Sequence, residues 1–597
     1  MGFEPTVSRP TPVFKTGAFV RSAIPPRTTL VIRASRYRAC MSGYEQHPIF
    51  QLASNVVDDL AQHDSTFASR IGSSAAVPAL PAYDPSWYEE SYAKAQRTFD
   101  DMSALSADDD VTRRARQVVL DDMTTTIARS RTHESERTLS QIVSPVADIR
   151  QIFELMPVES AEQQEFFLER LATVPRALRG VQETWQVTKE RGELPALRHI
   201  TGVADQAQEY SAGDFEALVQ RVIPTSQQSE KFASAAKAAQ EAYGQLAEWM
   251  RRELAPAANP IEGCGQERYE TLVRSFTGST WDWQELYEWG WEDLRSIVSD
   301  MRRVGEQILP GTQSPREVAD FLDRDPSRRI EGTAALLAAL RRITDGAIEM
   351  LDGVHFDIDP RIRFCDVRLA PPGGASAAYY ISPSEDLSRP GTTWFPTMGE
   401  TSFSLWQHTS TWYHEGLPGH HLESGTAVIN AGKLTRYHRL AGWTPGYGEG
   451  WALYAERLMH EIGALVDPAD ELGYLANQAL RAARVVVDIG LHLDLPVPSG
   501  VFGPEVTKWT PERAVEILRD WALQPQITAV SEVERYLGWP GQAISYKVGE
   551  REWMRARERA KARMAGKFSL KAFHAYGLEL GPLGLATFSA EMEKFGQ

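Results

Sequence analysis

Cysteine is scarce in this sequence, and long apolar runs are missing from it. The three cysteines, Cys40, Cys264 and Cys365, are odd in number and far apart, which argues against a disulfide framework or a thiolate metal cluster. No stretch is long and apolar enough to span a bilayer, so no membrane partner is expected. With so few cysteines, we expect a protein of the reducing cytoplasm.

Basic residues are outnumbered by acidic ones. The 63 Lys and Arg residues stand against 80 Asp and Glu, which gives a formal net charge of −17. An acidic surface repels phosphate backbones, so nucleic acid is not expected as a partner. Hydrophobic residues make up 42% of the chain and 16 residues are Trp, which is typical of large buried surfaces or a deep cleft.

Residues 1–40 differ from the rest of the chain in charge. They carry seven Lys and Arg residues and one acidic residue, and they lack the apolar segment of a secretory signal. One interpretation is a disordered basic arm, and the other is a translation start placed too far upstream. We favour the second, because acidic, helix-forming sequence begins at Met41.

After residue 40, the spacing of the apolar residues changes from one part of the chain to the next. In residues 41–355 these recur mostly at three- and four-residue spacing, which predicts a helical lobe. Alternation in Arg361–Leu369 and Ala377–Ser382 predicts two strands of a small sheet. Helical spacing resumes near Phe403 and continues to the end. We therefore expect a mainly α-helical fold, with the sheet and C-terminal helices in residues 356–597.

The most informative motif is the run Tyr413-His-Glu-Gly-Leu-Pro-Gly-His-His421, which is followed downstream by Glu449. A catalytic zinc ion takes three protein ligands, often two His and one Glu, and leaves one position for water. A neighbouring carboxylate then takes a proton from that water. We predict one Zn²⁺ ion held by His414, His420 and Glu449, with Glu415 as the general base.

The spacing of the histidines leaves two possibilities for the second ligand. In the familiar His-Glu-x-x-His motif both histidines lie on one helical face. On a regular helix His421, seven residues after His414, would share that face after about two turns. Pro418 and Gly419 disturb the helix, however, and a two-residue insertion that bulges out would bring His420 onto the face. We favour His420 and keep His421 as the alternative.

The predicted third ligand lies early in a segment with amphipathic helical spacing. Glycines flank Glu449 on both sides and allow another backbone to come close. Glu456 follows seven residues later, about two turns along the same face. We expect Glu456 to orient one of the metal-binding histidines, which commonly need such a partner.

Both motifs resemble those of a bacterial family known as domain of unknown function 885 (DUF885). Its pattern is His-Glu-x-x-Pro-Gly-His-His, here at residues 414–421, followed by Glu-Gly-Trp-Ala-Leu-Tyr-Ala-Glu, here at residues 449–456. The resemblance covers most of the chain after Met41 and is most specific from about Ala378 to Arg555.

That family in turn resembles the gluzincin metallopeptidases, including the thimet-type oligopeptidases and the aminopeptidases. This resemblance implies a zincin-like body of helical lobes around a cleft, with the catalytic region in residues 356–597 and the small sheet next to the metal helix. In the aminopeptidases an Asn-Glu-Gly segment supplies the third zinc ligand, which maps onto Glu449. The Pro-Gly insertion departs from the gluzincin pattern at the second ligand.

A polar stripe interrupts an otherwise apolar helical segment further on. It consists of Arg481, Arg484, Asp488 and His492, and it implies polar partners. One interpretation is a buried network of ion pairs between helices. The other places His492 near the cleft as a substrate or transition-state contact, with Asp488 one turn earlier holding its tautomer.

The segment Trp539–Glu550 resembles the family's Pro-Gly-Gln-Ala-x-Ser-Tyr-Lys pattern. It is also similar to the tyrosine-rich segment that thimet-type oligopeptidases set opposite the zinc. The resemblance implies that the Tyr546 hydroxyl donates to the oxyanion of a tetrahedral intermediate. The alternative is a core tyrosine on a helix.

These observations together predict a zinc-dependent hydrolase, most readily a peptidase that acts on short peptides. Two other functions fit the same residues. One is a metal-dependent amide or ester hydrolase with a non-peptide small-molecule substrate. The other is a non-catalytic binding protein with the same fold, against which the intact Glu415 argues.

Overall fold

The helices begin where the sequence supplies side chains that cap them. Asp84, Asp109 and Ser160 each accept a hydrogen bond from a backbone N–H in the first turn of the helix that follows. Proline occupies the start of many other helices, where its missing N–H is not needed. Local sequence signals therefore set many helix starts in this protein.

The structure is a computed structural model that describes residues 43–73, 76–223, 230–370 and 377–597. Both interpretations of residues 1–40 lie outside these described residues.

Helices dominate the described chain before the sheet, as the spacing of apolar residues predicts. They are α1 (Pro48–His63), α2 (Ser65–Arg70), α3 (Pro85–Ala104), α4 (Asp110–Arg131), α5 (Pro145–Gln151), α6 (Ala161–Glu190), α7 (Leu197–Glu209), α8 (Phe215–Val222), α9 (Glu230–Trp249), α10 (Gln266–Thr277), α11 (Trp283–Ile308), α12 (Pro315–Arg324) and α13 (Thr333–Leu351).

Two small sheets precede the histidine motif. The strands are β1 (Arg329–Glu331), β2 (Asp366–Leu369), β3 (Tyr379–Ile381), β4 (Thr392–Phe395) and β5 (Ser402–Ser404). Strand β1 pairs antiparallel with β5, and the other three have the order β2-β4-β3, with β2 parallel and β3 antiparallel to β4. Strand β3 lies within the predicted Ala377–Ser382, whereas β2 takes up only the second half of the predicted Arg361–Leu369, because Pro360–Ile362 form a 3-10 turn.

Helices resume four residues after β5 and continue almost to the C-terminus. They are α14 (His408–Glu415), α15 (His420–Ile429), α16 (Arg436–Leu440), α17 (Pro445–Glu461), α18 (Pro468–Leu493), α19 (Pro511–Trp521), α20 (Gln526–Gly538), α21 (Ser545–Met564), α22 (Leu570–Glu579) and α23 (Leu585–Met592). The fold is therefore mainly α-helical, as predicted.

The described residues form three apolar cores. The largest draws on helices from α1, through Ile49, to α23, through Phe588. A second core lies among α5 to α9 around Phe167. The third packs β2 and β4 against α13 and α14 through the buried Trp412, which fixes α14 on the sheet. The boundary predicted after residue 355 stays a prediction.

Helices α17 and α21 cross in backbone contact because three glycines line the crossing. A Cβ added to Gly549 of α21 would lie 2.0 Å from the carbonyl oxygen of Gly446 and 2.7 Å from the Cα of Gly450, both on α17. No larger residue allows so close an approach. The crossing brings the helix that carries Glu449 next to the helix that carries Tyr546.

Replacing Gly549 with Ala should lower the free energy of unfolding by about 1–3 kcal/mol, because the added methyl group must separate the two helices. Urea unfolding measures the effect. The matched control is Gly346→Ala, on the exposed side of α13, where an added Cβ meets no atom within 4 Å. That change should leave stability unchanged or raise it by up to about 1 kcal/mol. Equal effects of the two substitutions would contradict the role given to the crossing.

Helix α14 lies along α18, in a register fixed by two contacts. A Cβ on Gly473 of α18 would lie 1.8 Å from the carbonyl oxygen of Trp406, just before α14. One turn further along α18, the Asn477 side chain donates to the hydroxyl of Thr411 at 3.0 Å. The two helices therefore advance side by side, turn for turn, toward the end of α14.

Candidate metal centre

Three side chains from three different helices converge at one point. His414 lies in the last turn of α14, His420 begins α15, and Glu449 lies early in α17. Oε2 of Glu449 is 3.2 Å from Nε2 of His414 and 3.3 Å from Nε2 of His420. One potential ligand atom from each residue lies within 4.8 Å of the other two. The structure thus brings together the three residues that the sequence predicts as ligands.

The insertion between the two histidines is folded into a tight connection. The N–H of Gly419 donates to the carbonyl of Tyr413 at 3.0 Å, and a Cβ at this position would lie 1.9 Å from the carbonyl oxygen of His414. The Trp451 indole N–H donates to the Pro418 carbonyl at 2.8 Å. The Pro-Gly insertion therefore ends α14 and starts α15 at His420, which turns that imidazole toward His414.

His421 points to different partners. Its Nε2 donates to the carbonyl of Ile362 at 2.7 Å, which leaves Nδ1 to accept from the Tyr380 hydroxyl at 2.9 Å. Burial lowers the pKa of His421 to about 4, so the ring is neutral. With both nitrogens occupied, His421 has no atom left for a metal ion, and the geometry favours His420.

Glu456 forms a hydrogen bond with the ring nitrogen of His414 that faces away from Glu449, as expected. Its Oε1 accepts from Nδ1 of His414 at 2.9 Å, and its Oε2 accepts a hydrogen bond from the Ser410 hydroxyl. All three residues are buried. This contact fixes the ring of His414 with Nε2 directed at Glu449, which is the arrangement that metal-binding histidines use.

The electrostatics of the cluster favour positive charge at its centre. Burial by itself lowers the pKa of His414, but hydrogen bonds with Glu449 and Glu456 outweigh burial and raise it to about 9. Burial opposes ionisation of Glu449, yet hydrogen bonds with His414 and His420 hold its pKa well below the usual range. A cation between these groups would take the place of the protons on the imidazoles.

Two further buried carboxyl groups stand near the cluster. Burial raises the pKa of Glu415 against the opposing charges of His414 and His420. Burial also raises the pKa of Glu423, on the first turn of α15, to about 7. Of the two, Glu415 directly follows the first histidine in the sequence, and its raised pKa suits a group that accepts and returns a proton.

Tyr546 stands beside the cluster at the start of α21. Its ring stacks on that of His414 with a centroid separation of 6.2 Å and an interplanar angle of 19°. The guanidinium groups of Arg484 and Arg481 lie 4.5 and 6.0 Å from the tyrosine ring. Burial raises the pKa of Tyr546, so its hydroxyl stays protonated and can donate a hydrogen bond.

His492 packs elsewhere on α18. Its Nε2 donates to the carbonyl of Tyr536 at 3.0 Å, and its Nδ1 accepts from the N–H of Cys264 at 3.2 Å. Asp488 does not hold its tautomer, because the carboxylate accepts from the Tyr269 hydroxyl at 2.6 Å and stays 3.7 Å from the imidazole. Both ring nitrogens are therefore used within the protein, and His492 has a packing role instead of the predicted substrate contact.

One residue of the site escaped the sequence analysis, although it carried a signal. Ser410 stands four residues before His414 and therefore on the same face of α14, where a hydroxyl can reach Glu456.

The donor set fits a zinc ion. Zinc lies about 2.0–2.2 Å from imidazole nitrogen and carboxylate oxygen, and tetrahedral angles then separate neighbouring ligand atoms by about 3.3–3.6 Å. The two spacings from Glu449 to the imidazoles, 3.2 and 3.3 Å, come within about 0.1 Å of that range. Nε2 of His414 and of His420 and one oxygen of Glu449 would hold the ion.

Two solved structures share the fold. A protein from Colwellia psychrerythraea is 22% identical, with a TM-score of 0.81 over 93% of this chain and 99% of its own. A protein of unknown function from Shewanella oneidensis is 17% identical, with a TM-score of 0.70 over 92% of this chain and 100% of its own. None of the curated proteins matches the chain significantly.

The predicted cytoplasmic location is wrong. Both similar structures are described as a "putative lipoprotein", which does not agree with a protein of the cytoplasm. The prediction rested on the low cysteine count, which does not separate the two locations because a lipoprotein needs no disulfides either. Within the described ranges, no helix is both long enough and apolar enough to cross a bilayer.

The resemblance seen in the two motifs extends over most of the chain. The model of the family described as "Bacterial protein of unknown function (DUF885)" matches residues 66–592. This match takes in both small sheets, the three converging side chains and the helices that carry them. The chain belongs to the DUF885 family.

Proposed function

We propose that the protein is a zinc-dependent hydrolase with a zincin-like fold, and that it cleaves peptide bonds in short peptides. The observation that carries the proposal is the convergence of His414, His420 and Glu449 around one point. Each of the three is buried or nearly so, and their donor atoms match those of catalytic zinc sites. Glu415, next to the first ligand in sequence, supplies the carboxyl group that such a site needs.

Each residue of the site has its own role in the proposed reaction. A zinc ion bound here would act as a Lewis acid and lower the pKa of water. Glu415 accepts a proton from the attacking water and returns it to the leaving amine. Glu456 keeps the His414 ring in place. Tyr546, which stacks on that ring, donates a hydrogen bond to the oxygen of the carbonyl group under attack.

The burial of the site limits the size of its substrates. His414 is 2% exposed, and Glu415 and His420 are each 9% exposed. A peptide bond within a folded domain cannot reach groups so deep among helices. We therefore propose short or unfolded peptides as the substrate class, recognised in an extended conformation.

Digestion of a mixed library of short peptides by the zinc-loaded protein tests the proposal. We expect cleavage that a chelator abolishes and that added zinc restores. Mass spectrometry of the products identifies the bonds cut. A panel of small amides and esters serves as the comparison. Cleavage of that panel with no cleavage of the library would show that the substrate is a non-peptide amide or ester. Cleavage of neither would refute hydrolysis.

A further inference from the structure

Arg481 is a buried cation without a carboxylate partner. Arg481 is 8% exposed. The Glu415 carboxyl group is near enough to feel its charge, but among the described residues no carboxylate oxygen lies within ion-pairing distance of the guanidinium. In the part of the chain that the structure describes, its guanidinium donates only through Nη1, to Asn477, while the buried Nε has no hydrogen-bond partner. An unpaired charge and an unsatisfied donor at this depth are costly unless a ligand meets them.

The position of Arg481 follows from the register of α14 and α18. Thr411 of α14 contacts Asn477 of α18, and one further turn along both helices leads to Glu415 and Arg481. The guanidinium group also lies 6.0 Å from the centre of the Tyr546 ring. Arg481 thus stands next to two residues of the proposed reaction, on the α18 side of the metal cluster.

Arg484, one turn further along α18, has the carboxylate partner that Arg481 lacks. Arg484 is equally buried, but its Nη2 and Nε donate to Oε2 of Glu532 at 2.7 and 3.0 Å. Arg484 therefore has a carboxylate partner, which it shares with Arg535, although its own Nη1 has no hydrogen-bond partner among the described residues. Of these two arginines that flank the Tyr546 ring, only Arg481 has no carboxylate oxygen within ion-pairing distance among the described residues.

We propose that Arg481 binds the C-terminal carboxylate of the substrate, so that the protein acts on peptides with a free C-terminus and cuts close to that end. This inference rests on the proposed hydrolase function. The guanidinium fork matches the two oxygens of a carboxylate, and it stays charged at every physiological pH. An interior peptide group carries no charge and would leave the arginine unpaired.

The distances between these side chains limit how many residues can lie between the cleaved bond and the C-terminus of the peptide. The Tyr546 ring lies 6.2 Å from that of His414 and 6.0 Å from the Arg481 guanidinium. An extended peptide advances about 3.3–3.6 Å per residue. From the carbonyl at the metal cluster, these spacings allow up to about three residues before the carboxylate. The expected products are therefore single residues or very short C-terminal fragments.

Paired peptides of one sequence, made as the free acid and as the C-terminal amide, test this inference. The wild-type protein should cleave the free acid with a kcat/KM about 10- to 100-fold higher, as expected for a charged hydrogen-bonded pair. Arg481→Gln should lower the ratio of kcat/KM between the acid and the amide to about one. Arg481→Lys should keep part of the preference, which supplies a second variant should the first fold poorly.

Arg484→Lys is the matched control, because Arg484 flanks the same tyrosine ring but already has Glu532 as an ion-pair partner. It should change acid and amide cleavage by the same factor. An equal rate on both peptides in the wild-type protein would overturn the inference, and so would an equal loss on both in Arg481→Gln.

Binding of the same two peptides separates this inference from the proposed function. Calorimetry with a Glu415→Gln background should give tighter binding of the acid, and Arg481→Gln should remove the difference. Preferential binding without any cleavage by the wild-type protein would refute hydrolysis and keep the carboxylate site. Equal binding of both peptides would refute the carboxylate site.

Discussion

Replacing Glu415 with Gln should lower kcat for peptide cleavage by about 10²- to 10⁴-fold while zinc still binds, because the amide cannot accept a proton from water. The substitution keeps the size of the side chain, and Glu415 is not one of the three converging residues. Zinc content by mass spectrometry and steady-state kinetics on one library peptide measure the two effects separately.

Glu423→Gln provides the matched control for that substitution. Glu423 is also a buried carboxyl group, 2% exposed, and it lies three residues after His420. Its carboxylate accepts a hydrogen bond from the Ser424 hydroxyl at 2.9 Å and is not one of the three converging groups, so an amide of the same size should be tolerated. We expect kcat to stay within about threefold of wild type. Should Glu415→Gln retain wild-type kcat, Glu415 is not the base.

Removing His420 should abolish zinc binding, whereas removing its neighbour should not. His420→Ala takes away one of three ligands, so the loss of affinity should exceed the 10- to 100-fold that follows from removing a group that only orients a ligand. His421→Gln should keep close to one zinc per chain, because His421 contacts Ile362 and Tyr380 instead of the cluster. Competition with a chelating dye measures both affinities.

The two histidine variants also decide between the alternatives left open by sequence spacing. A protein that loses zinc in His421→Gln and keeps it in His420→Ala would reverse the assignment of the second ligand. Glu456→Gln adds a graded test, with an expected 10- to 100-fold weaker zinc affinity, because it disturbs only the hydrogen bond to Nδ1 of His414. Unchanged affinity in that variant would remove Glu456 from the site.

Short-range signals made much of this protein predictable. The period of the apolar residues is a property of neighbouring side chains, and it predicted the helical class and strands β2 and β3. Proline and glycine act on their own backbone, so Pro418 and Gly419 indicated a break in the helix between the histidines. That break by itself favours His420 over His421 as the second ligand.

Contacts between distant segments were not predictable in the same way. His492 satisfies both of its nitrogens with backbone groups of Cys264 and Tyr536, which lie 228 and 44 residues away in the chain. Nothing in the local spacing of the polar stripe shows that these partners exist. Arg481 and Arg484 look alike in the sequence, and only the position of Glu532, 48 residues beyond Arg484, gives one of them an ion-pair partner.

The glycine crossing of α17 and α21 bears on any attempt to alter the specificity of this protein. Because Gly446, Gly450 and Gly549 leave no gap between the two backbones, the spacing between Glu449 and Tyr546 is set by main-chain atoms. Side-chain substitutions elsewhere cannot compensate for a shift there. Mutant libraries should therefore hold these three positions constant. They should vary the residues around Arg481, whose Nε has no hydrogen-bond partner among the described residues.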